Sequence, residues 1–136
     1  MTTVKEIKDL FNRFEDGFKV SFRKWEHCTE EEFRKRKWPW PNRVSLSLQD
    51  RTTRTTDDGD TIRTFIFEDD FDNDFIMTKE EVIKFFCSGL EDTDLVSVRL
   101  YVEDTPGHYD HIEMEMSKGD TSWSDRETNL EFDEMN

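Results

Sequence analysis

Carboxylates that could bind a metal ion are concentrated between Glu68 and Glu81. Five of the seven residues from Glu68 to Asp74 are acidic, and none is basic. Asp70, Asp72 and Asp74 recur at every second position, and Glu81 follows where a helix is predicted to begin. Calcium prefers several oxygen ligands, and carboxylates at this spacing can converge on one ion. The sequence therefore contains a candidate calcium site made of Asp70, Asp72, Asp74 and Glu81.

This segment resembles the calcium-binding loop of an EF-hand over the twelve residues Asp70 to Glu81. Acidic residues occupy loop positions 1, 3 and 5, apolar Met77 is at position 8, and Glu81 is at position 12. The chain departs from the pattern at position 6, where the sharp turn of the loop uses glycine and this chain has Phe75. A strand is also predicted before the loop, where an EF-hand has a helix. The alternative interpretation, which needs no cofactor, is an acidic linker whose charges stabilise the start of a helix.

A second group of residues combines positive charge with aromatic rings. It consists of four consecutive cations and two tryptophans: Arg34, Lys35, Arg36, Lys37, Trp38 and Trp40. Cations beside exposed rings can hold phosphates and stack a base. In a chain of net charge −14, we expect instead that the cations pair with the chain's own carboxylates and that the rings pack on the core. The loop could still contact a partner protein, because Trp and Arg often anchor interfaces.

The predicted elements around these residues are two helices and a long hairpin. Thr3 with Glu6, and Thr78 with Glu81, have the spacing of a capping box, and apolar residues follow each cap at helical spacing. Between the helices, residues 43–56 and 61–68 flank the turn-forming residues 57–60 and are predicted to pair as a β-hairpin.

The order of the elements indicates an internal repeat. The alternating segment Val20–Trp25 matches Val96–Tyr101 at an offset of 76 residues. We therefore predict a single domain over residues 1–136, of the α+β class, built as a tandem αβββ pseudo-repeat of antiparallel strands with two helices. The predicted repeat units are residues 1–70 and 75–136. Each unit would bury its apolar face against the other.

The charge of the chain is strongly uneven. Residues 1–56 contain 13 basic and nine acidic residues, a net charge of +4, whereas residues 57–136 contain six basic and 24 acidic residues, a net charge of −18. The carboxylates lie mainly at predicted turns and element ends: Asp57, Asp58, Asp60, Glu68, Asp69, Asp70, Asp72, Asp74, Glu91, Asp92 and Asp94. Such a surface repels nucleic acid and anionic lipid and attracts basic proteins.

These features predict a small protein without enzymatic activity that binds a basic surface of another protein, most simply the nucleic-acid-binding groove of an enzyme. In size and charge alone, the chain is similar to phage-encoded inhibitors of host defence, such as anti-CRISPR and anti-restriction proteins, and to immunity proteins that neutralise nuclease toxins. The resemblance would imply that carboxylates replace phosphates in the groove of the target. No complete catalytic motif, paired zinc-ligand spacing or activated cysteine is present.

Two other functions are open from the sequence. One is a calcium-binding or small-ligand-binding module that uses residues 70–81 or a cleft between the repeats. The other is a self-associating structural protein in which Trp38, Trp40 and Trp123 bury surface between subunits. The chain has neither a long apolar segment nor the pattern of a signal peptide, so we expect a cytoplasmic protein, in the host cytoplasm if a phage encodes it.

Overall fold

Eight strands and two short helices have bounds within the part of the chain that the structure describes. A computed structural model of the protein describes residues 1–25, 31, 34–35, 43–70 and 74–134. In chain order the elements are β1 (Thr2–Thr3), α1 (Val4–Asn12), β2 (Lys19–Trp25), β3 (Arg43–Thr55), β4 (Thr61–Asp70), β5 (Ile76–Thr78), α2 (Lys79–Cys87), β6 (Leu95–Thr105), β7 (His108–Ser122) and β8 (Glu127–Glu134).

Local sequence signals place both helices as predicted. The Thr3 side chain accepts a hydrogen bond from the backbone N–H of Glu6 at the start of α1. At the start of α2 the capping box is complete, because Thr78 and Glu81 each accept a hydrogen bond from the backbone of the other. Both caps satisfy N–H groups that have no partner inside the helix. The two predicted capping boxes therefore mark the true helix starts.

The predicted hairpin is also confirmed. β3 pairs with β4 in antiparallel fashion from Ser45 opposite Asp70 to Thr55 opposite Thr61. A bulge between Leu48 and Asp50 shifts the register by one residue. Because an extra residue on one strand bends it, β3 leaves the side of β2 soon after their short contact at residues 43–45. β5 pairs with the other part of that side of β2.

The predicted α+β arrangement of two αβββ units is wrong. The described residues are mostly strand, and six strands close into a barrel in the order β2, β3, β4, β6, β7, β8. The closure depends on two parallel pairs, β4 with β6 and β2 with β8, where only antiparallel strands were expected. A three-stranded group has two edges whose backbone groups need partners, and here both edges of one group pair with both edges of the other. The helices cover the barrel and do not form a layer of their own.

Phenylalanine rings fill the barrel. The ring centroid of Phe22 on β2 lies 6.1 Å from that of Phe67 on β4, 5.8 Å from that of Phe86 on α2 and 5.6 Å from that of Phe132 on β8. All four side chains are buried. A six-stranded barrel has a narrow interior, and large rings fill it without leaving room for a channel. The core therefore joins residues from both ends of the chain.

Candidate acidic binding surface

The acidic residues singled out from the sequence lie at two ends of one strand. Asp57, Asp58 and Asp60 form the β3–β4 turn at the start of β4, whereas residues 68–70 end the same strand. A ten-residue strand is about 30 Å long at its rise per residue. Ile62 of β4 pairs with Leu95 of β6, so residues 91–94 lie beside the turn. The predicted acidic face is therefore two separate groups.

The group at the end of β4 is partly neutralised by the chain itself. Asp69 Oδ1 lies 3.1 Å from Lys24 Nζ, and the Lys24 side chain is 1% exposed. Asp74 Oδ1 lies 3.2 Å from Arg23 Nη2 at the surface. Both carboxylates are paired with cations of the chain, and Asp69 offsets the buried charge of Lys24. Asp72 lies outside the described residues.

The group at the β3–β4 turn is more open. Asp57, Asp58 and Asp60 are exposed. Asp92 accepts a hydrogen bond from Lys8 at 2.8 Å, and this bond lowers the pKa of the Asp92 carboxyl. Asp94 accepts a hydrogen bond from the backbone N–H of Glu91 and closes the turn before β6. Glu91 and Asp92 are exposed as well, and Asp92 is the member of this group that pairs with a cation of the described residues.

A further array of carboxylates lies on the outward faces of β7 and β8, with Glu115 and Asp133 exposed. We call it the carboxylate row: Glu113, Glu115, Glu131 and Asp133. Glu115 is directly opposite Asp133 in the antiparallel pair, and Ser117 is opposite Glu131. Cross-strand neighbours have Cβ atoms about 5 Å apart, and alternate residues on one strand are about 7 Å apart. Four carboxylates therefore fall within one small patch.

Side chains alternate between the two faces of β7 and β8, and the carboxylate row lies on the outward face. Met114 and Phe132 point into the core, so Glu115 and Asp133 beside them point to solvent, where both are exposed. The N-terminal amine of Met1 lies 3.9 Å from Glu113. No ion pair joins Glu115 or Asp133 to any residue in the described part of the chain. Like charges directly opposite each other destabilise a sheet, so this pair is costly in the isolated protein.

A groove and an aromatic pair border the row. The groove has a volume of about 410 Å³ and separates α1 from β7. Its charged lining residues are Glu6, Asp9 and Glu115 together with the cations Arg13 and Lys118. On the other side, the rings of Tyr101 and Tyr109 stack with centroids 4.9 Å apart. A hydrogen bond to Glu103 raises the pKa of the Tyr109 hydroxyl. Carboxylates and tyrosines thus share one face, a composition suited to cationic side chains.

Two residues of the predicted calcium site, Asp74 and Glu81, have other partners in the structure. Asp74 forms the ion pair with Arg23, and the Glu81 carboxylate accepts hydrogen bonds from the backbone and hydroxyl of Thr78. Across the described ranges, no group of three or more His, Cys, Asp or Glu residues could hold a metal ion. Because Asp72 is not described, the calcium site stays a prediction.

Most of the predicted basic and aromatic loop also lies outside the described residues. Arg36, Lys37, Trp38 and Trp40 belong to that part of the chain. Lys35 is exposed and its ammonium lies 3.1 Å from the carboxylate of Glu31, one helical turn away. Arg34 is exposed as well. The contribution of this loop to binding therefore stays a prediction.

The carboxylate row was not predicted as a site, although its signal is present in the sequence. The alternation of residues 112–116 places Glu113 and Glu115 on one face, and residues 130–133 do the same for Glu131 and Asp133. Whether the glutamates of β7 lie beside the carboxylates of β8 depends on the register of the two strands. A bulge between Lys118 and Thr121 sets this register. Gly119 lies within this bulge, and an isolated glycine in a strand pattern indicates a bulge without fixing the register that follows.

The chain was also compared with known proteins. No protein-family model, no curated protein and no solved structure gives a significant match. Among the helices of the described residues, none combines the length and the apolar character that crossing a membrane requires.

Proposed function

We propose that this protein acts without catalysis, by binding a basic nucleic-acid-binding surface of a partner protein and excluding nucleic acid from it. The partner would be an enzyme whose Lys and Arg side chains normally contact phosphates. Carboxylates of the carboxylate row would take the place of those phosphates. Inhibitors of host defence and immunity proteins of nuclease toxins are the classes of protein that work in this way.

The observation that carries the proposal is the pair of Glu115 and Asp133. Two like charges directly opposite each other lower the stability of a sheet by about 0.2 to 1 kcal/mol. A cationic side chain of a partner that approaches both carboxylates removes this repulsion and gains two charge-assisted hydrogen bonds. The free protein therefore carries a local cost that binding to a basic surface relieves.

The global charge supports the same kind of partner. The net charge of −18 on residues 57–136 would attract a basic groove over about one Debye length, roughly 10 Å at moderate salt. Such attraction accelerates association and makes affinity fall steeply with salt. The Tyr101 and Tyr109 rings beside the row offer surfaces on which arginine can stack.

The experiment uses a matched pair of double variants. Glu115→Gln with Asp133→Asn removes two charges from the row, and Asp57→Asn with Asp58→Asn removes two charges from the β3–β4 turn. Tagged wild type and both variants are incubated with nuclease-treated bacterial lysate at low and at high salt, and bound proteins are identified by mass spectrometry. Each captured enzyme is then purified and its binding to labelled duplex DNA is measured with each protein added.

We expect wild type and the turn variant to capture a nucleic-acid enzyme at low salt and to compete with its DNA. The row variant should lose at least about tenfold in inhibition, since two charge-assisted contacts are removed. Equal inhibition by the row variant and the turn variant would contradict the assignment of the site. A captured enzyme that still binds DNA in the presence of wild type would contradict the proposed function itself.

A further inference from the structure

Within the described residues, the outer edge of β3 has no strand partner over most of its length. β3 contacts β2 only from Arg43 to Ser45 and then separates from it. From Leu48 to Thr55, β4 is the sole partner of β3 within the strands that the structure describes. Residues 49–55 are exposed. The Arg51 N–H donates to Asp50 Oδ1 at 2.8 Å. The other backbone N–H and C=O groups on this edge have no strand partner among the described residues and are open to another strand.

The charged residues along this edge are placed so that two antiparallel copies of β3 would bring opposite charges together. Asp50, Thr52 and Arg54 point to the same face of the sheet, because side chains alternate along a strand. Asp50 and Arg54 are equally far from Thr52, on either side of it. No ion pair joins Arg54 to any other residue in the described ranges. An antiparallel copy of the same strand, centred on Thr52, would place each Asp50 opposite an Arg54.

We infer that two copies of this chain pair through the β3 edge, in antiparallel register about Thr52. The two-fold axis runs perpendicular to the sheet and passes between the two Thr52 residues. The pairing gives two cross-strand Asp50–Arg54 contacts and one Thr52–Thr52 contact, all on the same face. The arrangement is isologous and closed, so it ends at a dimer.

Other registers with the same symmetry are worse. A centre on Asp50, Arg51 or Arg54 places that charged residue opposite its own copy. A centre on Thr53 has no like-charge pair but separates Asp50 from Arg54. Only the centre on Thr52 joins opposite charges twice, so the sequence of the edge selects one register.

The surroundings of the edge offer apolar contacts to a second strand. A groove of about 400 Å³ lies between β3 and α2 and is lined by Arg51, Met77, Glu81, Lys84, Phe85 and Ser88. Met77 and Phe85 are partly buried against the core. A partner strand beside β3 would cover this groove and bury both side chains further, which favours association.

The position of β3 in the barrel makes the dimer compatible with the negative charge of the chain. In the order β2, β3, β4, β6, β7, β8, three steps separate β3 from β7 in either direction. The carboxylate row therefore lies on the opposite side of the barrel from the pairing edge. Contact through β3 therefore keeps the carboxylate rows of the two copies apart. The inference does not depend on the proposed function.

Charge reversal tests the pairing and its register by sedimentation velocity over a wide range of protein concentration. Asp50→Arg and Arg54→Asp each replace the two opposite-charge contacts by like-charge contacts. We expect wild type to dimerise and each single variant to weaken the dimer by about tenfold or more. The double variant, with both substitutions, restores complementarity and should dimerise like wild type.

Mixing the two single variants gives the most specific readout. The Asp50→Arg protein presents Arg at both positions and the Arg54→Asp protein presents Asp at both, so they should form a heterodimer although neither forms a homodimer. Circular dichroism of each variant checks that it is folded. Wild type that stays monomeric at every concentration overturns the inference. A dimer that the single variants do not weaken, or a mixture that does not associate, overturns it as well.

Discussion

Lys24 is the most unusual single residue of this barrel. It follows Val20 and Phe22 on the inward face of β2, and its side chain is buried with them. Its ammonium contacts the Asp69 carboxylate at 3.1 Å and the backbone carbonyl of Trp25. A buried ammonium without an opposite charge is costly, since no water compensates for its lost hydration. The acidic end of β4 is therefore a structural requirement of the barrel as well as a source of negative charge.

Asp69→Asn should destabilise the protein strongly. The substitution keeps the shape of the side chain but leaves the Lys24 ammonium buried without its counter-charge, which costs about 3 kcal/mol in comparable buried pairs. The free energy of unfolding from urea denaturation measures the change. Asp74→Asn is the matched control, because it breaks the exposed ion pair with Arg23 and should cost less than about 1 kcal/mol. Similar losses in both variants would show that Lys24 does not depend on Asp69.

At the scale of elements, the register of β7 on β8 places residues of like charge directly opposite each other. Glu115 and Asp133 are direct cross-strand partners, and both side chains are exposed. A sheet selected for stability alone would carry opposite charges at these positions. Stability lost at a surface is a common consequence of a binding role.

Asp133→Lys should therefore stabilise the fold while it weakens partner binding. It converts a like-charge pair into an opposite-charge pair, which should raise the free energy of unfolding by about 1 kcal/mol. Thermal and urea denaturation at low salt measure the gain, which should shrink at high salt because the pair is exposed. Asp57→Lys changes the net charge by the same amount at the β3–β4 turn. If it stabilises equally, the gain comes from net charge and not from the cross-strand pair.

The parts of the fold that could be predicted from the sequence are those that depend on residues close together in the chain. The caps at Thr3 and Thr78 and the β3–β4 hairpin each depend on residues close together in the chain. The parallel pairs that close the barrel join Phe65 to Val98 and Phe22 to Leu130, which are far apart in the chain and carry no shared motif. Strand alternation identifies the inward face but does not say which strand will be the neighbour.

The same limit applies to the candidate site. The acidic turn residues Asp57 and Asp58 were visible because turns favour aspartate. The carboxylate row was missed, because the encounter of Glu115 with Asp133 depends on a register that a bulge fixes. Each of these carboxylates is an ordinary surface residue of its strand, and they form a patch only in the observed strand register.

At the scale of the whole molecule, barrel closure makes the two parts of the chain depend on each other. Phe22 and Phe67, from residues 1–70, contact Phe86 and Phe132, from residues 75–136, with centroid distances of 5.8 Å for Phe22–Phe86 and 5.6 Å for Phe67–Phe132. Neither part can bury these rings alone, and each would expose two strand edges. The core and the edges therefore favour one cooperative unit.

We accordingly expect the intact chain to unfold in a single transition, and the fragments 1–70 and 75–136 to be unfolded when expressed separately. The physical reason is that each fragment loses the two parallel strand pairs and most of the contacts of its aromatic rings, which are the largest apolar groups in the core. Coincident urea transitions by far-ultraviolet and near-ultraviolet circular dichroism would show the single unit. A mixture of the two fragments should regain near-ultraviolet signal if β4 pairs with β6 and β2 pairs with β8. A cooperative unfolding transition in either fragment alone would contradict the dependence of folding on barrel closure.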